Sequence, residues 1–117
     1  MHELGIATSI LDAVEAEAKK RPGANFKVVG LRIGELAGVD VDALTFGWEA
    51  ITRETEWEGL KLAIQELPLK NRCRLCGCEF QVKDYEIACP KCGRSETENI
   101  SGDELDIAYM EIEEAKV

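Results

Sequence analysis

The stretch Cys73-Arg-Leu-Cys76-Gly77, followed after a short interval by Cys89-Pro-Lys-Cys92-Gly93, decides how the chain is organised. Each cysteine pair has the spacing of a metal-binding knuckle, and the glycine after it permits the tight turn that wraps the backbone around an ion. Four thiolates so arranged form a closed tetrahedral shell for zinc, with no position open for a catalytic water. We therefore predict a zinc-ribbon lobe in which Cys73, Cys76, Cys89 and Cys92 hold a structural zinc.

Two other interpretations of the four cysteines stay open at this point. They are a single iron ion in the same sulfur cage and a dithiol redox pair. A red preparation would indicate iron, and a redox pair would not require the second knuckle. The fifth cysteine, Cys78, is too close to Cys76 to replace it easily as a ligand. It is interpreted as a spare, partly buried thiol.

Strands are predicted on both sides of the cysteine segment. Apolar and polar residues alternate from Leu60 to Pro68 before it and from Glu104 to Glu113 after it. Because the cysteines lie between two strands, residues 68–101 are predicted to form a zinc-binding domain inserted into an α/β domain. The α/β domain would then comprise residues 1–67 and 102–117.

Two helices and one further strand are predicted nearer the start of the chain. Apolar residues recur at helical spacing from Leu4 to Lys20, and Phe26 to Leu36 alternates as expected of a central or near-central strand. A second helix is capped by Asp40 or Asp42 and fades near Thr55. The predicted fold class is α+β, with two helices packed on a three-stranded mixed sheet and an inserted zinc-ribbon lobe built on the four cysteines.

Charge and composition narrow the classes of function. The 117 residues carry a formal net charge of −9, and the acidity lies outside residues 68–101. This charge disfavours general binding to nucleic acid. The longest apolar stretches are too short for a membrane span, and the Met-His-Glu start has no secretory signal pattern. Five cysteines without such a signal favour a cytoplasmic metal-binding protein.

The only histidine of the chain is His2. Met1 is expected to remain, because aminopeptidases remove it only before small residues. The terminal amine, the His2 amide nitrogen and the imidazole can then close fused chelate rings in one plane, with Glu3 adding its backbone or carboxylate. Such coordination suits nickel(II) or copper(II). A solvated surface histidine and an acid in a first helical turn are the alternatives that these residues leave open.

Taken together, these motifs resemble the HypA/HybF family of hydrogenase nickel-incorporation proteins. The resemblance covers nearly the whole chain in order, through Met1-His2-Glu3-Leu4, Arg32-Ile33-Gly34-Glu35-Leu36, Val39 to Phe46 and the two knuckles. It implies a nickel metallochaperone and not an enzyme. It also implies that Ni(II) is bound by Met1, His2 and Glu3, and that Zn(II) is held by the four knuckle cysteines.

The resemblance further implies two partners, a hydrogenase-maturation GTPase (HypB-like) and the hydrogenase large subunit that receives nickel. Asp40 occupies the position of an acidic residue sometimes proposed near the nickel, although a helix N-cap is equally expected there. Some relatives carry a histidine in or beside the zinc lobe, and this chain has none beyond His2. Backbone nitrogens, a carboxylate or water are therefore expected to complete the site. Monomer and dimer are both compatible with the final strand, which follows a hinge.

Other classes of function have less support. A zinc-ribbon module that touches nucleic acid would use the cations of the lobe, but these are expected to offset the charge of the cluster or to meet an acidic protein. The cations are Arg72, Arg74, Lys83, Lys91 and Arg94. An enzyme is not expected, and no catalytic residue is predicted, since there is no second histidine, nucleophile motif or phosphate-binding glycine loop.

Overall fold

The structure is a computed structural model that describes residues 3–114 of the chain. Helix α1 spans Glu3–Lys20. It buries Ala7, Ile10 and Val14, which recur at the three- and four-residue spacing of one helical face. Its last turn carries Lys19 and Lys20, whose positive charges interact favourably with the negative C-terminal end of the helix dipole. The predicted first helix is confirmed.

Strand β1 spans Asn25–Gly34 and lies in the middle of the first sheet, whose strand order is β2-β1-β6. The prediction of a central strand is therefore confirmed. The strand ends two residues earlier than predicted, because Glu35–Ala37 form a 3-10 turn that closes on Gly38 in the left-handed conformation, with φ of 65°. Backbone hydrogen bonds still tie this segment to the chain before β6, from Gly34 to Glu104 at 2.7 Å and from Leu36 to Gly102 at 2.7 Å.

Helix α2 spans Val41–Thr52 and begins at Asp40, whose side chain accepts a hydrogen bond from the Ala43 amide. Asp40, rather than Asp42, is thus the N-cap. The helix stops three residues before the predicted end near Thr55, because Arg53 leaves the helical region with φ of −58° and ψ of 133°. Helices α1 and α2 pack against each other, and Leu44 and Trp48 are buried.

The first sheet is mixed and is completed by two edge strands, β2 at Lys61–Leu67 and β6 at Leu105–Glu113. Both strands lie where alternation predicts them. Strand β6 nevertheless buries neither of its faces fully, and Leu105 and Tyr109 remain 41% and 48% exposed. Alternation therefore identifies this strand without identifying a buried face.

A second sheet of order β4-β3-β5 lies within the cysteine segment. It consists of β3 at Lys70–Cys73, β4 at Glu79–Gln81 and β5 at Thr97–Ser101, and β3 pairs antiparallel with both neighbours. With the two helices and the first sheet, it gives the predicted α+β fold with a zinc-ribbon lobe.

The described chain divides into two compact units. The first comprises residues 3–31, Val39–Gln65 and 106–114, and the second comprises Arg32–Gly38 and Glu66–Leu105. The second unit contains all five cysteines. Within residues 3–114, no helix combines the length and the hydropathy that a bilayer crossing needs.

Candidate metal centres

Two matching turns present the knuckle cysteines. In the first, the Gly77 amide donates to the Cys73 carbonyl at 2.9 Å, and in the second the Gly93 amide donates to the Cys89 carbonyl at 2.8 Å. Both glycines have left-handed φ values, 78° for Gly77 and 77° for Gly93. This conformation strains other residues, which explains why a glycine follows each Cys-x-x-Cys pair.

The four knuckle thiols converge on one point. All four Sγ atoms lie within 4.8 Å of one another. Two distances are 3.6 Å, between the Sγ atoms of Cys73 and Cys92 and between those of Cys76 and Cys89. Zinc–sulfur bonds of about 2.3 Å place the corners of a tetrahedron about 3.8 Å apart. The cluster therefore fits a single tetrahedral metal ion, and the sequence prediction of a four-cysteine metal site is confirmed.

The local environment shifts the pKa values of the thiols in opposite directions. Burial raises the pKa of Cys89, but hydrogen bonds from the amides of Cys92 and Lys91 outweigh it and lower that pKa to about 6. The Arg94 amide lowers the pKa of Cys92, whereas burial and the Cys73 thiol raise it, to about 11 overall. Because the pKa of Cys92 is raised, a metal ion that binds all four cysteines as thiolates must displace protons.

Cys78 lies outside the group of four. It is half-buried, and its Sγ faces the Glu79 carbonyl oxygen at 3.7 Å. Burial raises its pKa, and so does the neighbouring Cys89 thiolate. Its place outside the converging group of four, and not its protonation, fits the interpretation of a spare thiol.

Two of the five cations of the lobe, Arg72 and Arg74, form ion pairs with carboxylates of the same lobe. Arg72 contacts Glu79 at 3.7 Å and Glu98 at 3.3 Å, and Arg74 contacts Glu98 at 3.7 Å. Lys83 has no ion pair with any residue in the range 3–114. Since Arg72 and Arg74 are already paired with carboxylates, these two arginines are poorly placed for a phosphate backbone.

At the other candidate centre, Met1 and His2 lie outside the described residues, whereas Glu3 and Asp40 are brought together. The Asp40 amide donates to Glu3 Oε2 at 3.0 Å. This hydrogen bond is the main cause that lowers the pKa of Glu3. Two of the four residues predicted to bind nickel therefore adjoin each other, although they are 37 residues apart in sequence.

The residues that position the cysteines were not found from the sequence. Asn71 is buried in β3 and donates from Nδ2 to Thr97 Oγ1 at 3.1 Å, while Asn99 Nδ2 donates to Asn71 Oδ1 at 3.4 Å. This network joins β3 to β5, and Thr97 Oγ1 also donates to the Ile87 carbonyl at 2.8 Å. The only signal in the sequence for this network is that Asn71 and Cys73 alternate with charged residues. This alternation is not recognised as a strand pattern because the buried side chain of Asn71 is polar.

Comparison with known proteins adds the family. Residues 1–112 match the model of the family described as HypA, hydrogenase/urease nickel incorporation, metallochaperone. A hydrogenase maturation factor HypA of Geobacter metallireducens is 40% identical over 97% of this chain and 100% of its own length. The corresponding protein of Alkalilimnicola ehrlichii is 37% identical with the same coverage.

Solved structures support the fold. The solution structure of the Ni metallochaperone HypA from Helicobacter pylori superposes with a TM-score of 0.63 at 22% identity, over 97% of this chain and 99% of that one. Another solution structure of a HypA protein reaches a TM-score of 0.69 at 23% identity, over 96% of each chain. The family is one of metallochaperones and not of catalysts, which agrees with the prediction that the chain is not an enzyme. The chain belongs to the HypA family of hydrogenase maturation nickel metallochaperones.

Proposed function

We propose that the protein binds Ni(II) at its N-terminal residues and delivers it during maturation of the [NiFe] hydrogenase large subunit. The observation that carries this proposal is the contact between Glu3 and Asp40. Glu3 directly follows His2, the sole histidine of the chain. Membership of a nickel-incorporation family over residues 1–112 supports nickel as the cargo.

The proposed nickel ligands are Met1, His2 and Glu3, with Asp40 beside them. An amine, an amide nitrogen and an imidazole favour the planar geometry of nickel(II). Protons compete for the amine and for the imidazole, so nickel affinity should fall as the pH drops below about 6.5.

The knuckle cysteines are proposed to hold Zn(II) with a structural role. The support is the closed set of four thiols and the small size of the segment, which has few buried apolar residues apart from Cys73, Cys89 and Val82. Bound zinc would supply the cross-link that this unit lacks. Elemental analysis distinguishes zinc from iron, which would colour the protein red.

The proposed partners are a HypB-like GTPase and the hydrogenase large subunit, and the proposed compartment is the cytoplasm. Curated relatives bear the name hydrogenase maturation factor, which supports the pathway. Four cysteines that are grouped as a metal site, and not as disulfides, support a reducing compartment.

Calorimetric titration of untagged protein with Ni(II), alongside elemental analysis, tests the proposed site. The wild type is compared with His2→Ala and with a variant extended by one residue before Met1. We expect one zinc per chain in all three proteins and stoichiometric nickel binding in the wild type alone. Unchanged nickel binding by both variants would place the nickel site elsewhere.

A further inference from the structure

We propose that Glu3 is a positioning residue whose carboxylate holds the first turn of α1 on the start of α2 and does not coordinate nickel. The inference rests on the proposed N-terminal nickel site and assigns a different role to one of its residues. It leaves the Glu3 backbone, and not its carboxylate, available to the metal.

Asp40 takes part in two hydrogen bonds that define this role. Its amide donates to Glu3 Oε2 at 3.0 Å, and its own Oδ1 accepts from the Ala43 amide at 3.1 Å. Amides at the start of a helix lack partners within the helix, so a carboxylate that accepts from them is stabilised. Asp40 is thus occupied by capping α2, and Glu3 by the amide of Asp40.

Leu4 packs beside this contact. At Gly47 in α2, an added Cβ atom would lie 3.6 Å from Leu4 Cδ1 and 3.8 Å from Leu4 Cα, so the first turn of α1 rests on the surface of α2. Leu4 itself is 56% exposed. The apolar contact of Leu4 and the hydrogen bond of Glu3 therefore both hold the first turn of α1 against α2.

The contact bears on nickel binding because it fixes Glu3, the one proposed backbone ligand that the structure describes. A ligand group that is held in place by a hydrogen bond needs less ordering when the metal binds. Chain ends fray unless they are tied down, and ordering them on metal binding costs affinity. The contact between Glu3 and Asp40 removes part of this cost before nickel arrives.

Four variants test the proposal by calorimetry with Ni(II). Glu3→Gln retains an oxygen that can accept from the Asp40 amide, whereas Glu3→Ala does not. Asp40→Ala removes the capping carboxylate but keeps the amide proton that Glu3 accepts. Asp40→Pro removes the carboxylate and the amide proton, and proline tolerates the backbone φ of −80° at this position. We expect Glu3→Ala and Asp40→Pro to weaken nickel binding about 10- to 100-fold, as loss of a supporting hydrogen bond does. We expect Glu3→Gln and Asp40→Ala to remain within about threefold of the wild type, since each keeps the contact.

Two further measurements separate positioning from coordination and from misfolding. The visible absorption of the nickel-saturated protein should be the same in Glu3→Ala, Glu3→Gln and the wild type, because the ligand atoms do not change. Circular dichroism of each variant records whether α2 is intact. A shifted nickel spectrum together with weak binding in Glu3→Gln would make the carboxylate a ligand and overturn the proposal, as would wild-type affinity in Glu3→Ala. Nickel binding by His2→Ala would instead contradict the proposed site itself.

Discussion

At the scale of single residues, buried Trp48 links two segments of the first unit through a side-chain hydrogen bond. Its side chain is 2% exposed, and its indole Nε1–H donates to the Leu60 carbonyl at 2.7 Å. The bond joins α2 to the segment that leads into β2. Because both groups are buried, loss of the donor would leave the carbonyl without a partner.

Substitution of Trp48 by phenylalanine should therefore lower the free energy of unfolding by about 1–3 kcal/mol, most of it from the unpaired carbonyl. Urea unfolding followed by circular dichroism measures this change, with the exposed Phe46→Leu as a matched control in the same helix. Equal stability of Trp48→Phe and the wild type would show that water replaces the lost donor.

Glu3 makes the first turn of α1 sensitive to pH. The Asp40 amide holds the pKa of Glu3 below its ordinary value of 4.5. The ionised form is thus favoured in the folded protein, and the contribution of this contact is complete above pH 4.5. It is lost as the pH falls through the lowered pKa.

Amide spectra recorded across this range should show the Asp40 signal moving with a midpoint below 4.5. In Glu3→Gln this step should vanish, because the glutamine side chain does not ionise. An Asp40 amide that titrates identically in both proteins would contradict the hydrogen bond.

At the scale of elements, two glycines of β1 lie close to β6 or to the chain before it, but they meet different kinds of neighbour. A Cβ atom at Gly34 would collide with the backbone of Gly102, whereas one at Gly30 would collide with the ring of Tyr109. Gly34 has an extended conformation, with φ of −81° and ψ of 154°, so space rather than conformation excludes a side chain. A side chain can rotate away, but a backbone segment cannot move without breaking its hydrogen bonds.

Gly34→Ala should accordingly destabilise the protein by about 1–3 kcal/mol, in the range for overpacking. Gly30→Ala should cost less than about 1 kcal/mol, because Tyr109 is half-exposed and the lost backbone freedom of the unfolded chain offsets part of the strain. Thermal unfolding of the two variants in the same buffer measures the difference. A larger loss for Gly30→Ala would contradict this ranking.

The elements also show what could be predicted from the sequence. Helices α1 and α2 and strands β1, β2 and β6 follow from apolar periodicity, because burial of apolar faces stabilises them. Strands β3, β4 and β5 escaped prediction because they are short and polar, and they depend on hydrogen bonds such as that of Asn71 and on the cysteine cluster. The four cysteines of the metal site could be predicted, because metal coordination sets the Cys-x-x-Cys spacing and this spacing is visible in the sequence.

The early end of β1 and the contact between Glu3 and Asp40 could not be predicted. The first depends on backbone hydrogen bonds from the Leu36 segment to Gly102. The contact joins residues that are distant in sequence, and no sequence pattern at Glu3 or at Asp40 indicates that the two residues meet. Tertiary contacts of this kind leave no local trace in the sequence.

At the scale of the whole molecule, we propose that residues 68–101 form a zinc-dependent domain and that residues 1–67 and 102–117 form the nickel-binding domain. The compact units divide the chain at Gln65/Glu66 and Leu105/Asp106, and the cysteine unit also includes Arg32–Gly38. Both tryptophans of the chain, Trp48 and Trp57, lie in the first unit. Their fluorescence therefore reports on that unit alone.

Removal of zinc by a chelator at neutral pH should disperse the structure of the cysteine unit, because metal binding supplies much of its folding free energy. Amide signals from residues 66–105 should collapse, while tryptophan fluorescence and its cooperative urea transition persist. Restoring zinc should reverse the change. Loss of the tryptophan transition together with the zinc would contradict two separately stabilised domains.

Nickel delivery is tested most directly at the acceptor. A bacterial strain that lacks its own HypA-family protein is supplied with this chain, either as the wild type or as His2→Ala, and the nickel content of its purified hydrogenase large subunit is determined. We expect the wild type to restore nickel to the large subunit and His2→Ala to fail, with equal amounts of both chaperones in the cell. Full restoration by His2→Ala would contradict delivery from the N-terminal site.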